Sequence, residues 1–178
     1  MATYKELTAF LVDLGIESVP HSQKNYLAHL VAVYRILKDA GCTEEVCQAG
    51  MFHSIYGTAQ FQGFKLPLES RDELRRLIGD RAERLAYWNC AMDREFFDQA
   101  VAQDSGRYRD RITGETLMLV SGDFDDLCRI HLYDWLEQAP RSRLGWNYRR
   151  ASYRRLAERL GPDAVAAYDR VYAAAPAV

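Results

Sequence analysis

The sequence has few of the features that would indicate secretion, a membrane anchor or a structural zinc site. It has only four cysteines, Cys42, Cys47, Cys90 and Cys128, and no two of them form the CxxC pair of a zinc ribbon. In a reducing compartment, isolated cysteines of this kind are best interpreted as small buried hydrophobic residues. No apolar run approaches the ~20 residues that span a bilayer, and the N-terminus lacks the charged-then-apolar layout of a signal peptide. We therefore expect a cytoplasmic protein with no membrane partner.

A strong excess of charge of either sign is also absent. The 23 basic and 25 acidic residues give a net charge of −2, which argues against a nucleic-acid-binding protein. Lysine is scarce, since 19 of the basic residues are arginine; arginine codons are GC-rich, which favours a high-GC bacterial genome and suits specialised metabolism. With 48 % hydrophobic residues over 178 positions, the chain can bury a core without help from a disulfide or a metal.

Apolar residues recur at helical spacing along most of the chain. Thr3 and Glu6 form a capping-box pattern ahead of the first apolar stripe, and a second helix is predicted from Ser22 to Ala40. Start signals predict further helices from near Thr43, Ser70, Asp80, Asp93, Asp123, Asn147 and Asp163, with Ser70 and Glu73 as another capping-box pattern.

One segment, residues 108–120, differs because it resembles two short strands joined by a Thr-Gly-Glu turn. The sequence therefore predicts an all-α fold, a helical bundle with a small β-hairpin insertion. We expect a single domain over residues 1–178, with its core at about 20–138 and C-terminal helices at 145–175.

Two of the four histidines lie in apolar surroundings that predict burial. His29 is in the middle of the second predicted helix, and His53 follows the apolar end of the third. A buried imidazole needs a partner for each of its two nitrogens, and a metal ion is one way to provide it.

The segment from His29 to Thr58 resembles the HD superfamily of metal-dependent phosphohydrolases, and most closely its (p)ppGpp-hydrolase domains. That family has Tyr-x-x-His, a helix that ends in Gly, and then an Ala-Gly-apolar-apolar-His-Asp run; the matching residues here are Tyr26, His29, Gly41, Ala49, Gly50 and His53. Residues 73–82 are similar to the next family helix. The family's later metal-binding Asp corresponds best to Asp134 within residues 132–138, with Asp126 as the second choice.

Two departures from the family pattern affect its chemistry. Ser54 stands where the family has a metal-binding Asp, so the His-Asp signature is a degenerate His-Ser. Tyr56 and Gly57 replace the Glu-Asp pair thought to orient the attacking water. We therefore expect ordinary (p)ppGpp hydrolysis to be lost.

The resemblance implies a candidate site. His29, His53 and Asp134 would form a metal site suited to a single Mn, Fe or Zn ion. The alternative is that the metal has been lost and an organic ligand has taken its place, which the missing Asp favours. The expected catalytic residues are His29, His53, Ser54 and Tyr56, and the expected substrate-binding residues are Tyr26, Thr58, Phe61 and Trp88.

Three functions remain open. The first is a divergent HD-fold enzyme that acts on a polar small molecule, and the others are a non-catalytic nucleotide- or metabolite-binding protein and a metal-dependent phosphohydrolase with a substituted ligand. Seven arginines lie between Arg141 and Arg159. They either bind an anion or form a solvated helix face whose positive charge pairs with the acidic stretch Asp123, Asp125 and Asp126. No nucleic-acid partner is expected, and the sequence leaves open a homodimer.

Overall fold

The computed structural model describes residues 2–21 and 24–176. Within these ranges most residues lie in nine α-helices: α1 Tyr4–Asp13, α2 Tyr26–Asp39, α3 Glu44–Met51, α4 Arg71–Ile78, α5 Asp80–Ala91, α6 Arg94–Ala102, α7 Ser121–Gln138, α8 Arg150–Leu160 and α9 Pro162–Tyr172. Two antiparallel ribbons complete the fold, β1 Pro20–His21 with β2 Lys24–Asn25, and β3 Arg107–Arg109 with β4 Thr116–Met118. The prediction of a mainly helical fold with a small hairpin is confirmed. No helix in the described ranges is both long and apolar enough to cross a membrane.

The β3–β4 hairpin forms where the sequence predicts it. Tyr108 pairs with Leu117 across the two strands, and Gly114 in the turn has a φ of +78°, a conformation that glycine adopts without strain. Tyr108 is buried, and its hydroxyl donates to the backbone carbonyl of Trp88. Together with hydrogen bonds from Tyr87 to Asp110 and from Arg111 to the carbonyl of Cys90, this contact anchors the hairpin to α5.

The predicted helix starts hold at some positions and fail at others. Thr3 and Glu6 form the predicted capping box, but the Ser70 side chain makes no capping bond, because a 3₁₀ turn over Leu68–Ser70 leads directly into α4. The second helix begins at Tyr26, whereas its predicted start, Ser22, lies outside the described residues. Asn25 caps this helix by accepting the N–H of Ala28.

Helices α2, α3 and α7 pack against one another and position the site. Gly41, with a φ of +74°, reverses the chain between α2 and α3. Gly50 then allows α3 to approach α2 closely, since a Cβ at this position would lie 2.1 Å from Cδ1 of the buried Leu37. This close approach brings the end of α3 next to the middle of α2.

The C-terminal helices hold the far side of α7. The Trp135 ring stacks on the ring of Tyr153 in α8, with the ring centroids 5.1 Å apart. The indole N–H of Trp135 donates to the hydroxyl of Tyr172 in α9. Helix α8 also packs on α6.

Of the cysteines, Cys47, Cys90 and Cys128 are buried and Cys42 is partly buried, so the prediction of buried thiols holds for three of the four.

Candidate metal centre

Three buried side chains from three segments meet at one point. His29 comes from the first turn of α2, His53 from the turn after α3, and Asp134 from α7. The Nε2 atoms of the two histidines are 3.3 Å apart, and each lies 3.2 Å from Oδ1 of Asp134. The approach of the two histidines predicted from the sequence is therefore present, with Asp134 as its third member.

The outer nitrogen of each histidine has a partner that determines which nitrogen carries the proton. Nδ1 of His53 lies 2.7 Å from the carbonyl oxygen of Gly50, and a carbonyl only accepts, so Nδ1 is the donor. Nδ1 of His29 lies 2.6 Å from a carboxylate oxygen of Glu137. In the neutral form of each ring, the Nε2 lone pair therefore points at the other two members of the triangle.

The backbone that carries His53 is held by α5. The carbonyl oxygen of His53 accepts from the side-chain amide of Asn89 at 2.8 Å and from the thiol of Cys90 at 3.2 Å. Both contacts are buried, so the turn after α3 has little freedom to move the imidazole away from His29.

The electrostatics of the cluster favour ionised carboxylates. Burial acts to raise the pKa of Asp134, but the imidazoles of His53 and His29 outweigh burial, and the pKa lies well below its usual value. In the same way, His29 and Arg141 outweigh burial at Glu137 and lower its pKa to about 2. For His29 burial lowers the pKa, yet Asp134 and Glu137 together raise it. The cluster thus attracts positive charge to the point between the three atoms.

The triangle has the dimensions of a metal site. Ligand atoms about 2.0–2.2 Å from one ion lie roughly 2.8–3.5 Å from each other at angles between octahedral and tetrahedral. The three edges, 3.2, 3.2 and 3.3 Å, fall in this range. Two imidazole nitrogens and one carboxylate oxygen suit Zn, Mn or Fe and leave coordination positions open. The residues present therefore fit a single divalent ion.

A cavity of about 470 Å³ opens beside the triangle and exposes His53 and Asp134 to it. This volume is in the range that accommodates a small molecule. Its other described lining residues are Pro20, Ser54, Thr58, Gln60, Phe61, Arg94, Trp135, Gln138, Ser142, Arg143, Leu144, Tyr148 and Tyr153.

Besides the triangle, four more of the predicted residues lie at this cavity or directly behind it. Ser54 lines it, and its hydroxyl forms a 2.9 Å hydrogen bond with that of buried Tyr26. Phe61 also lines it and contacts the Tyr26 ring at 4.6 Å. Thr58 lies on the same wall, where its hydroxyl accepts the backbone N–H groups of Gln60 and Phe61.

Two predicted residues point elsewhere. Tyr56 donates to Glu83 at 2.9 Å, and burial and this carboxylate raise its pKa well above the usual value, so its proton is firmly held. Trp88 packs against Tyr108 and under Arg84. Neither lines the cavity. The sequence predicts both in or beside the segments that line the site, but their side chains contact Glu83 and Tyr108 instead.

Asp126, the second choice for the third ligand, lies in a different cluster. Its carboxylate accepts from Arg81 at 2.7 Å and from Arg129 at 3.1 Å. Asp126 and Asp134 are on the same helix, eight residues apart, and only Asp134 faces the two histidines.

Sequence reasoning missed the residues that support Asp134 and His29. Glu137 and Gln138 lie three and four residues after Asp134, so one face of α7 presents all three. Glu137 holds His29, and the Gln138 amide donates to Asp134 at 2.9 Å. This i, i+3, i+4 spacing is visible in the sequence and was the available signal.

Most members of the arginine run have acidic partners. Arg141 donates to Glu137, Arg154 to Glu158 and Asp169, and Arg159 to Asp104 and Asp125. The predicted pairing of this run with the acidic stretch is confirmed at Asp125, which binds Arg159. The other two residues of the stretch, Asp123 and Asp126, pair with Arg81, which is outside the run. Arg143 differs from these arginines because it lines the cavity.

Comparison with protein-family models matches part of the chain to a described family. Residues 10–94 match the family model of a domain of unknown function, DUF6817. No curated protein and no solved structure matches the chain. The matched segment includes His29 and His53, while Asp134 and Glu137 lie beyond it.

Proposed function

We propose that this protein is a metal-dependent enzyme that acts on a polar small molecule, with one divalent ion held by His29, His53 and Asp134. The observation that carries the proposal is the triangle of ligand atoms with edges of 3.2–3.3 Å. Both outer histidine nitrogens donate to fixed acceptors, which leaves the two lone pairs and the carboxylate aimed at one point. Such hydrogen bonds are typical of the surroundings of metal ligands.

The resemblance to HD-domain phosphohydrolases supports the same assignment of residues. In that family the corresponding two histidines and the later Asp hold metal, and here these three side chains meet. The helix pair α2–α3 with its close approach at Gly50 is compatible with such a scaffold. The HD relationship is part of the proposal.

Ordinary (p)ppGpp hydrolysis does not suit this site. The family uses three carboxylates beside its second histidine, and Ser54, Tyr56 and Gly57 stand in their places here. Ser54 is hydrogen-bonded to Tyr26, and Tyr56 donates to Glu83, so none of the three carboxylates is present. A bound divalent ion would supply Lewis acidity or an open coordination position for substrate. The chain itself supplies a half-polar cavity that orients a small molecule next to His53 and Asp134.

Metal content of purified variants tests the proposal. We expect about one equivalent of Mn, Fe or Zn in the wild-type protein and less than about a tenth of that in Asp134→Asn, because losing the charged ligand weakens divalent binding. Asp126→Asn is the matched control, as it removes a carboxylate from the same helix outside the triangle. Retention of metal in Asp134→Asn, or its absence from the wild type after incubation with each ion, would overturn the proposal.

Turnover separates an enzyme from a binding protein. The metal-loaded protein is incubated with a library of polar metabolites, and substrate loss is followed by mass spectrometry. An enzyme consumes at least one compound in a manner that Asp134→Asn abolishes. A compound that binds stoichiometrically and is recovered unchanged indicates the non-catalytic alternative.

A further inference from the structure

Arg94 is a cation in the cavity wall that has no acidic partner among the described residues. It is the first residue of α6, half-buried, and its guanidinium donates to the hydroxyl of Tyr148 at a long 3.4 Å. No carboxylate of the described residues forms an ion pair with it, in contrast to the neighbouring Arg149, which pairs with Asp98. Burial acts to lower the pKa of Arg94, but Tyr153, Tyr148 and the charge of Asp134 together outweigh burial and raise the pKa above its usual value. Arg94 therefore remains charged, with most of its hydrogen-bonding capacity unused.

A second arginine reaches the same cavity from a different segment. Arg143 lies between the 3₁₀ turn Ala139–Arg141 and α8, is exposed, and lines the cavity together with Tyr148. Two guanidinium groups therefore reach one cavity, one inside its wall and one exposed.

The balance of charge in the cavity is positive. Its formally charged described lining residues are Arg94, Arg143 and Asp134, and Asp134 is already engaged by His29 and His53. A divalent ion at the triangle would add further positive charge. An arginine in a partly desolvated wall needs an anion for full stabilisation, and its planar fork matches a carboxylate or a phosphate.

We propose that Arg94 and Arg143 bind an oxyanion group of the substrate, a carboxylate or a phosphate, so that the substrate is an anionic small molecule whose other end reaches the His29–His53–Asp134 triangle. The second half of this statement rests on the proposed function, whereas anion binding at the two arginines needs no metal. Tyr148, which accepts the long hydrogen bond from Arg94, lines the same cavity.

Calorimetric titration with defined probes tests the inference. Inorganic phosphate represents the phosphate source, malonate the carboxylate source, and malonamide is an uncharged molecule of malonate's shape. We expect wild-type protein to bind at least one of the two anions and not malonamide. Arg94→Gln should weaken that binding about tenfold or more, because a charge-assisted hydrogen bond is lost. Arg143→Gln, an exposed position whose change leaves the core intact, should weaken it in the same direction.

Arg155→Gln is the matched control, since Arg155 is an exposed arginine of α8 outside this cavity, and it should bind as the wild type does. Binding of malonamide as tight as malonate, no binding of either anion, or anion affinity unchanged in both arginine variants would each overturn the inference.

Metal content measured on the same samples separates this inference from the proposed function. If the wild-type protein takes up no metal after incubation with each ion, and Arg94-dependent anion binding is still observed in it, only the metal assignment fails. If the anion binds metal-loaded protein alone and ignores both arginine substitutions, the arginine site fails and the metal assignment stands.

Discussion

Glu137 shows how one side chain can determine the chemistry of another. Its ionised carboxylate accepts the Nδ1 proton of His29, so in the neutral ring the lone pair lies on Nε2, the atom that faces His53 and Asp134. Arg141 donates to the same carboxylate and balances its charge. Glu137 would not touch the metal ion itself, but it orients His29, which would bind the ion.

Replacing Glu137 with Gln tests this role. We expect metal affinity to fall about tenfold or more, because the neutral amide orients the imidazole less firmly and makes it a weaker ligand. The dissociation constant for Zn, measured by competition with a chromogenic chelator, reports the change. Glu158→Gln, an exposed change on α8, is the control, and equal affinity in the two variants would contradict the role of Glu137.

His131 is also buried, but its surroundings lower its pKa, whereas those of His29 raise it. Neither of its nitrogens has a hydrogen-bond partner among the described residues, and its ring contacts Phe97 and Tyr153. Burial and the charge of Arg94 lower its pKa well below the usual value. In the unfolded chain His131 binds a proton at the ordinary histidine pKa of about 6.5, whereas in the folded protein it stays neutral at that pH. The free energy of unfolding therefore decreases as the pH falls below that value.

His131→Phe is expected to stabilise the protein by about 1 kcal/mol, because it removes two unsatisfied polar atoms from the core. The gain should be larger at about pH 5 than at about pH 8, since the phenyl ring has no proton to bind in the unfolded state. Urea unfolding at the two pH values measures both quantities. A substitution that destabilises the protein equally at both would show that the imidazole makes a required polar contact.

At the scale of elements, the contact between α2 and α3 determines whether the histidines meet. Gly50 lies against Leu37, and a methyl group there would come within 2.1 Å of the buried side chain. The Ala49-Gly50 pattern therefore has a packing reason as well as a family resemblance.

Gly50→Ala is expected to reduce the free energy of unfolding by about 1–3 kcal/mol through overpacking, and to weaken metal binding by moving α3 away from α2. Gly122→Ala is the matched control, because it is also a helical glycine and has open space around it. Chemical denaturation and metal titration of both variants measure the two effects. Gly50→Ala with unchanged stability would mean that Leu37 moves aside freely.

Local patterns predict the elements better than they predict the directions of side chains. The hairpin at residues 108–120 and the Thr3 cap follow from short-range turn and capping chemistry, and both form as predicted. Tyr56 follows His53 closely and Trp88 lies 30 positions beyond Thr58. The directions of their side chains nevertheless depend on Glu83 and on Tyr108, which come from other elements. Arg94 and Arg143 are 49 positions apart, and only the packing of α6 and the segment before α8 reveals that they share a cavity.

At the scale of the whole molecule, the candidate centre ties separate parts of the chain together. The triangle links α2, the turn after α3, and α7, and α7 is in turn held by α8 and α9 through Trp135. A ligand that binds only the folded arrangement stabilises it in proportion to its affinity and concentration.

Metal removal should therefore lower the thermal stability of the whole domain. At a free metal concentration of about 100 times the dissociation constant, binding adds about 2.7 kcal/mol, which for a chain of this size corresponds to roughly 5–10 °C in melting temperature. Calorimetric scans with and without a chelator measure the difference. The chelator should have no effect on Asp134→Asn, and an equal shift in that variant would place the ion elsewhere.

X-ray absorption spectroscopy of the zinc- or manganese-loaded protein distinguishes this metal site from any other, because it reports which atoms surround the ion. We expect a first shell of nitrogen and oxygen at about 2.0–2.2 Å with outer-shell scattering from two imidazole rings. In Asp134→Asn loaded at high metal concentration, that pattern should weaken or disappear. A shell with sulfur at about 2.3 Å, or one without imidazole scattering, would contradict the assignment of the ion to His29, His53 and Asp134.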